Sequence, residues 1–236
     1  MGDRAVVLLS GGMDSATALA IAKSEGHDVV ALTIDYGQRH RRELEAAKAV
    51  AKHFHVRDHR IMTLDLAAVG GSALTDRRIK VPEQRSLEEI GRGIPPTYVP
   101  ARNTIFLACA LSLAEATGAQ AIYIAANYQD SSGYPDCRPE YYTAFREVAR
   151  LGTKRGVEGD VIAIRTPLIE MTKADIVRKG EAFGVPWKLT WSCYQGREKA
   201  CGVCDSCQLR LKGFREAGVK DPIPYASRRE HKSLSS

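Results

Sequence analysis

The most restrictive feature of the chain is an alternation near its start, in which a short apolar run, a Ser/Gly turn and an Ala-rich helical stretch are followed by the same strand and helix signals again. Residues 4–9 (RAVVLL) are almost continuously apolar, which suits a strand covered on both faces. Residues 14–24 (DSATALAIAKS) carry apolar side chains at helical spacing, and Gly26 stands where a helix C-terminus favours glycine. Residues 28–36 (DVVALTIDY) repeat the strand, 41–54 (RRELEAAKAVAKHF) repeat the helix, and 55–62 open a third strand. The alternation predicts an α/β fold, doubly wound, with a parallel sheet, helices on both faces, and ligands at the carboxyl ends of the strands.

Downstream, residues 67–100 carry Gly, Ser, Pro and charge without a period and are too long for a plain connection, so they are expected to form a flexible substrate flap. Residues 102–117 form the most apolar predicted helix, 121–126 and 161–165 are the fourth and fifth strands, and a polar loop is expected between them. A helix over 172–183 follows. The 236 residues accommodate one main domain, taken as 1–185, a small helical module over 186–226, and a disordered tail over 227–236. Apolar content of 44% with 26% charge excludes disorder as the main state. No stretch approaches the roughly 20 apolar residues of a membrane span, and a strand follows the N-terminus directly, so the chain is expected in the cytoplasm. A net charge of +6 favours anionic ligands, nucleotide or RNA, without choosing between them.

Ser10-Gly11-Gly12-Met13-Asp14-Ser15 joins the first strand to the first helix, where backbone N–H groups and the helix dipole converge on an anion site. It lacks the Lys of a Walker A loop and the three glycines of a dinucleotide fold. The plain alternative is a Ser/Gly turn in which Asp14 or Ser15 caps the helix. Arg102 and Lys173 each open a predicted helix, a position where a cation opposes the dipole, which favours an anion-facing role over a solvated one. His40, Arg41 and Arg42 are read as a solvated helix start.

Cys193-x7-Cys201-x2-Cys204-x2-Cys207 packs four thiols into a short stretch, too tight for a disulfide framework. A tetrahedral zinc ion would use all four as ligands and leave no open position, which makes the site structural. An iron–sulfur cluster and free thiols are the alternatives. Cys109, on an apolar helix, reads as core.

The string S-G-G-x-D-S after the first strand resembles the pyrophosphate loop of the N-type ATP pyrophosphatases (PP-loop enzymes, with an adenine nucleotide alpha hydrolase-like fold). Further strings narrow the likeness: Asp35-Tyr36-Gly37-Gln38-Arg39-His40, Tyr98-Val99-Pro100-Ala101-Arg102-Asn103, the stretch from Asp130 through Tyr134, Asp136 and Arg138 to Glu140, and Ser192-Cys193-Tyr194 ahead of the other cysteines. From about Val6 to Tyr225 the chain resembles the 7-cyano-7-deazaguanine synthases, departing at Ala101, where glycine is expected as often.

That resemblance implies a carbon–nitrogen ligase of queuosine and archaeosine precursor biosynthesis that uses ATP, Mg²⁺ and Zn²⁺. It would act on 7-carboxy-7-deazaguanine with free ammonia, no segment here supplying a glutaminase nucleophile, and would form a homodimer. The implied nucleotide site comprises Leu8, Leu9, Ser10, Gly11, Gly12, Met13, Asp14, Ser15, Ala16, Thr17, Ala18 and Asp35, with Asp14, Ser15, Arg102 and Lys173 as catalytic groups. Asp130, Tyr134, Asp136 and Arg138 would bind the deazapurine, Asp136 being preferred over Asp130 for its edge; a turn rich in Asp, Ser, Gly and Pro is the plain alternative. A tRNA-modifying ligase of the same fold, or a nucleotide-sensing zinc module without turnover, are the competing functions. No Arg/Lys-rich helix with interleaved aromatics marks a nucleic-acid surface.

Overall fold

The structure, a computed structural model, describes residues 2–39, 41–90, 92–128 and 133–227. Five strands, β1 (Arg4–Leu8), β2 (Asp28–Asp35), β3 (Asp58–Thr63), β4 (Ala121–Tyr123) and β5 (Ala163–Arg165), form one parallel sheet in the order β3-β2-β1-β4-β5. The chain winds outward from β1 through β2 to β3, then crosses to β4 and winds outward to β5. The reversal lies between β1 and β4, where an open α/β sheet leaves a crevice at its carboxyl edge.

Alternate residues of β1, together with Leu9, which follows it, feed two cores. Ala5, Val7 and Leu9 pack with α1 (Met13–Ser24), α2 (Arg42–His53), α7 (Lys173–Ala182) and α8 (Asp205–Ala217), whereas Val6 and Leu8 pack with α4 (Arg102–Thr117) and α5 (Pro139–Gly152). The doubly wound expectation is met. β3 starts three residues later than expected because His55, at φ 53°, takes a left-handed turn that closes α2.

Two expectations fail. The polar loop between β4 and β5 instead contains α5, which begins with Pro139 in its first turn, buries Tyr142, Phe145 and Ala149 on one face, and leads into the short α6 (Lys154–Val157). The i, i+3, i+7 spacing of those three residues was a legible helix signal. The segment over 67–100 is packed down rather than loose. It buries Ala73, Leu74, Val81 and Val99, includes the short α3 (Leu87–Ile90), and is tied to the C-terminal region by Gln84 N–H donating to the Val203 carbonyl at 2.9 Å and by the Arg85–Asp205 ion pair.

A third cluster gathers Ala73 and Val81 with Trp191, Ile223 and the cysteines Cys193, Cys201, Cys204 and Cys207. Trp191 N–H donates to the Gly11 carbonyl at 2.9 Å, and Arg42 stacks on the Trp191 ring at 4.0 Å. Arg42 is therefore a packing residue and not part of a solvated helix start; Arg41 is exposed, and His40 lies outside the described residues. Among the described residues no helix is long and apolar enough to cross a membrane.

Candidate active site

The turn after β1 is shaped by close packing. Gly11 has φ 84°, and a Cβ there would lie 2.5 Å from the backbone of Ala47 and of Glu43, so only glycine lets α2 approach the loop so closely. Gly12 is the N-cap of α1 and no side-chain cap hydrogen bond is made there among the described residues, so neither Asp14 nor Ser15 caps the helix and its first-turn N–H groups are left available to an anion. Ser15 braces the loop from within: its hydroxyl donates to the Gly12 carbonyl at 3.1 Å and accepts from the Ser10 N–H at 3.2 Å.

Lys173, in the first turn of α7, reaches across 159 residues of sequence to place its ammonium 2.6 Å from Asp14 Oδ2. The Thr172–Asp175 capping box fixes the start of that helix. Gly213 of α8 leaves room beneath it, since a Cβ there would meet the Lys173 Cβ at 2.6 Å. Asp14 Oδ1 is buried and has no hydrogen-bond partner among the described residues. A buried carboxylate oxygen without a donor is costly unless a ligand completes it.

These groups open on a cavity of about 290 Å³, just below the usual range for small-molecule sites. Leu8, Leu32, Ile34, Phe106 and Ile124 form an apolar wall. Arg102 projects from the start of α4 toward the Tyr36 hydroxyl, 3.4 Å away, and Tyr134 is held by a 2.8 Å hydrogen bond to Thr97. Burial pushes the Tyr36 hydroxyl up to about 12 against the pull of Arg102. Glu43 also lines the cavity, and burial pushes its carboxyl up to about 7, again opposed by Arg102.

The four cysteine sulfurs lie within 4.8 Å of one another, all buried. Zinc–sulfur bonds of about 2.3 Å make a tetrahedron with edges of roughly 3.8 Å, and the Cys201–Cys207 separation is 3.9 Å. Backbone N–H groups of Gln195 and Cys201 point at Cys193 Sγ, and that of Cys204 at Cys201 Sγ, at 3.3–3.4 Å. Such donors stabilise thiolates, so the residues fit a zinc ion.

Residues 4–218 match the family described as "Queuosine biosynthesis protein QueC". Proteins named 7-cyano-7-deazaguanine synthase are similar over nearly the whole chain. That of Nostoc punctiforme is 56% identical, covering 94% of this chain and 100% of the relative; that of Thermosynechococcus vestitus is 57% identical, covering 94% and 96%. The chain belongs to the QueC family. Among solved structures, the NMN synthetase of Francisella tularensis superposes with a TM-score of 0.50 at 14% identity, covering 99% of this chain and 83% of that one, which is a likeness of fold.

Within this QueC chain the expected site residues fall into three groups. Leu8, Leu9, Ser10, Gly12, Met13, Asp14, Ser15, Arg102, Tyr134 and Lys173 line the one cavity. Gly11, Ala16, Thr17, Ala18 and Asp35 stand behind it; Thr17, for instance, is buried with its hydroxyl on the Met13 carbonyl. Asp136 and Arg138 are beside the cavity and not in its wall. Asp136 Oδ2 accepts the Asn103 N–H at 3.0 Å, pinning its loop to the first turn of α4, and Arg138 turns back to the Pro135 carbonyl. Asp130 lies outside the described residues. Tyr36, Asn103 and Cys137 stand in the family strings without an expected site role, and Glu43 and the Arg85–Asp205 pair carried no sequence signal, yet all line the cavity. Glu43 sits three residues beyond the quoted Asp35–His40 string, but nothing local distinguishes it from an ordinary helix-start carboxylate.

Proposed function

We propose that the chain converts 7-carboxy-7-deazaguanine and ammonia to 7-cyano-7-deazaguanine at the expense of ATP. AMP is joined to the substrate carboxylate, ammonia displaces it to give an amide, and a second activation on the amide oxygen lets the nitrile form. The observation that carries this reading is the junction of Asp14, Lys173 and the uncapped α1 N-terminus in one cavity with Arg102 and Tyr134. It supplies donors for a departing pyrophosphate and a cation for the charge that develops on the transferred phosphate.

Each group has a part. Ser10, Gly12 and Ser15 hold phosphate through the loop, and Lys173 offsets negative charge there. The orphaned Asp14 Oδ1 is the ligand we assign to Mg²⁺, which when bound would neutralise charge on the leaving pyrophosphate. The apolar wall takes the flat bases, and Tyr134 offers a ring face to the deazapurine. Zinc, held by Cys193, Cys201, Cys204 and Cys207, is assigned a structural part, because all four ligands come from the protein. We further assign the chain to the cytoplasm as a homodimer.

The test is incubation of the pure protein with ATP, Mg²⁺, ammonium and 7-carboxy-7-deazaguanine, following product mass together with AMP and pyrophosphate. Nitrile formation is expected. AMP release that requires tRNA, or no AMP release, would overturn the reading.

A further inference from the structure

Ammonia in neutral water is almost entirely ammonium, which has no lone pair with which to attack a carbon. An enzyme that uses free ammonia therefore needs a proton acceptor at the site of attack, and nitrile formation from an amide demands removal of two further N–H protons. The groups given parts above leave this unfilled: Lys173 and Asp14 hold each other, and the Arg102 guanidinium has no acceptor.

Glu43 meets the requirement by position. It stands in the first turn of α2, at the place where that helix presses on the phosphate loop so closely that a Cβ on Gly11 would lie 2.5 Å from the Glu43 carbonyl. Its side chain lines the cavity, and among the described residues its carboxylate makes no hydrogen bond or ion pair that would fix it in one state. Arg102 faces it from α4 and Tyr36 from the end of β2. Asp14, Lys173, Tyr134 and Tyr194 line the same space from the phosphate loop, α7, the loop after β4 and the segment before the cysteines.

We infer that Glu43 is the proton acceptor for the substrate nitrogen, a role that rests on the ammonia-dependent reaction proposed above. In the first stage the carboxylate takes H⁺ from ammonium. The freed lone pair forms the C–N bond at the acyl carbon while the C–O bond to AMP breaks, its electron pair leaving on the AMP oxygen, and the new nitrogen sheds one more proton to give the neutral amide. In the second stage, with the amide oxygen carrying AMP, both remaining N–H bonds give up their protons, the nitrogen electrons form the C≡N bond, and the C–O pair leaves with AMP. Burial, which raises the carboxyl to about 7, lets Glu43 both accept and release protons at neutral pH. Tyr36, pushed up to about 12, and Cys137, pushed up to about 11 chiefly by desolvation, stay protonated there.

The experiment separates adenylation from amination. Exchange of labelled pyrophosphate into ATP, driven by 7-carboxy-7-deazaguanine without ammonium, reads the first step alone. Glu43→Gln is expected to keep this exchange within about threefold of wild type while ammonium-dependent product falls by about 10²-fold or more. The inflection of the wild-type amination rate near pH 7 should vanish in the variant, leaving only the steady rise that follows free ammonia. Hydroxylamine, already unprotonated at neutral pH, should restore acyl transfer in the variant to near the wild-type rate. Glu43→Asp, which keeps the charge but withdraws it by one methylene, is expected to show the same split in milder form. Exchange that falls together with product in both variants, or a failure of hydroxylamine to restore transfer, overturns the proposal in favour of a part in holding ATP or Arg102. No exchange in the wild-type protein would instead overturn the adenylation reading on which this one stands.

Discussion

Among the described residues Asp14 has an incomplete environment, with one oxygen bound to Lys173 and the other buried without a donor. Asp14→Asn retains the shape but loses the charge that both Lys173 and a divalent ion would meet. Turnover is expected to drop by about 10²-fold or more, the usual cost of removing a preorganised electrostatic contact, in a protein that is less stable, because the buried Lys173 loses its Asp14 counter-charge, but still folded; steady-state assays and calorimetry on the same preparation check this. Ala101 is a different kind of exception. It precedes α4 at φ 52°, a left-handed conformation that costs an alanine roughly 1–2 kcal/mol and a glycine little. The glycine expected at this position from resemblance thus has a backbone reason. After glycine's own entropic cost of roughly 0.5–1 kcal/mol, Ala101→Gly should stabilise the protein by about 0.5–1 kcal/mol in denaturant titration while leaving Arg102 in place.

At the scale of elements, helix starts converge on the cavity: α1 brings the loop over 10–15, α2 brings Glu43, α4 brings Arg102 and α7 brings Lys173. Their placement depends on close crossings between helices as much as on the sheet. The crossing of α7 and α8 is narrow at Gly213, where a methyl group would strike the Lys173 Cβ and backbone at 2.6–3.0 Å. Gly213→Ala should therefore destabilise the protein by about 1–3 kcal/mol through overpacking. It should also cut turnover well beyond what the lost stability explains, because Lys173 is displaced from Asp14; comparing urea midpoints with turnover at a temperature where the variant is fully folded separates the two effects. α5 supplies the opposite lesson. Tyr142, its most buried aromatic, donates its hydroxyl to the Asp136 carbonyl at 2.9 Å, so a helix missed in the sequence holds the loop that carries Tyr134.

Over the whole molecule, the cysteine cluster is a clasp. It joins the segment over 67–100, the underside of α2 and the start of α8, and through Trp191 it touches the loop over 10–15 itself. Cys201→Ser, or stripping with a strong chelator, should lower zinc from about one per chain to far less. The expected loss is more than about 3 kcal/mol of stability, since structural zinc sites contribute on the order of 10 kcal/mol of binding free energy. ATP affinity should fall along with it, because the Trp191 N–H to Gly11 link depends on the clasp. Elemental analysis with a thermal melt and a nucleotide titration tests this. Iron with visible absorption in the untreated protein would contradict the zinc assignment.

The amino-acid sequence by itself determined whatever is encoded within a turn or two of chain. The strand runs, the Gly11-Gly12 turn, α4 from Arg102 to Thr117, and the four cysteines closing on one another all follow from local period, glycine freedom and short spacing. What only the tertiary structure decided are meetings across long loops: Lys173 with Asp14 over 159 residues, Arg85 with Asp205 over 120, and Glu43 facing Arg102 from a separate helix. It also decided which way Asp136 points, toward the backbone of Asn103, where sequence could say only that a carboxylate lay on the loop. The division has a physical cause. Backbone propensity and periodic burial act between neighbours in sequence, whereas the desolvation that lifts Glu43 and the orphaned oxygen of Asp14 arise only once distant segments have excluded water from a shared cavity.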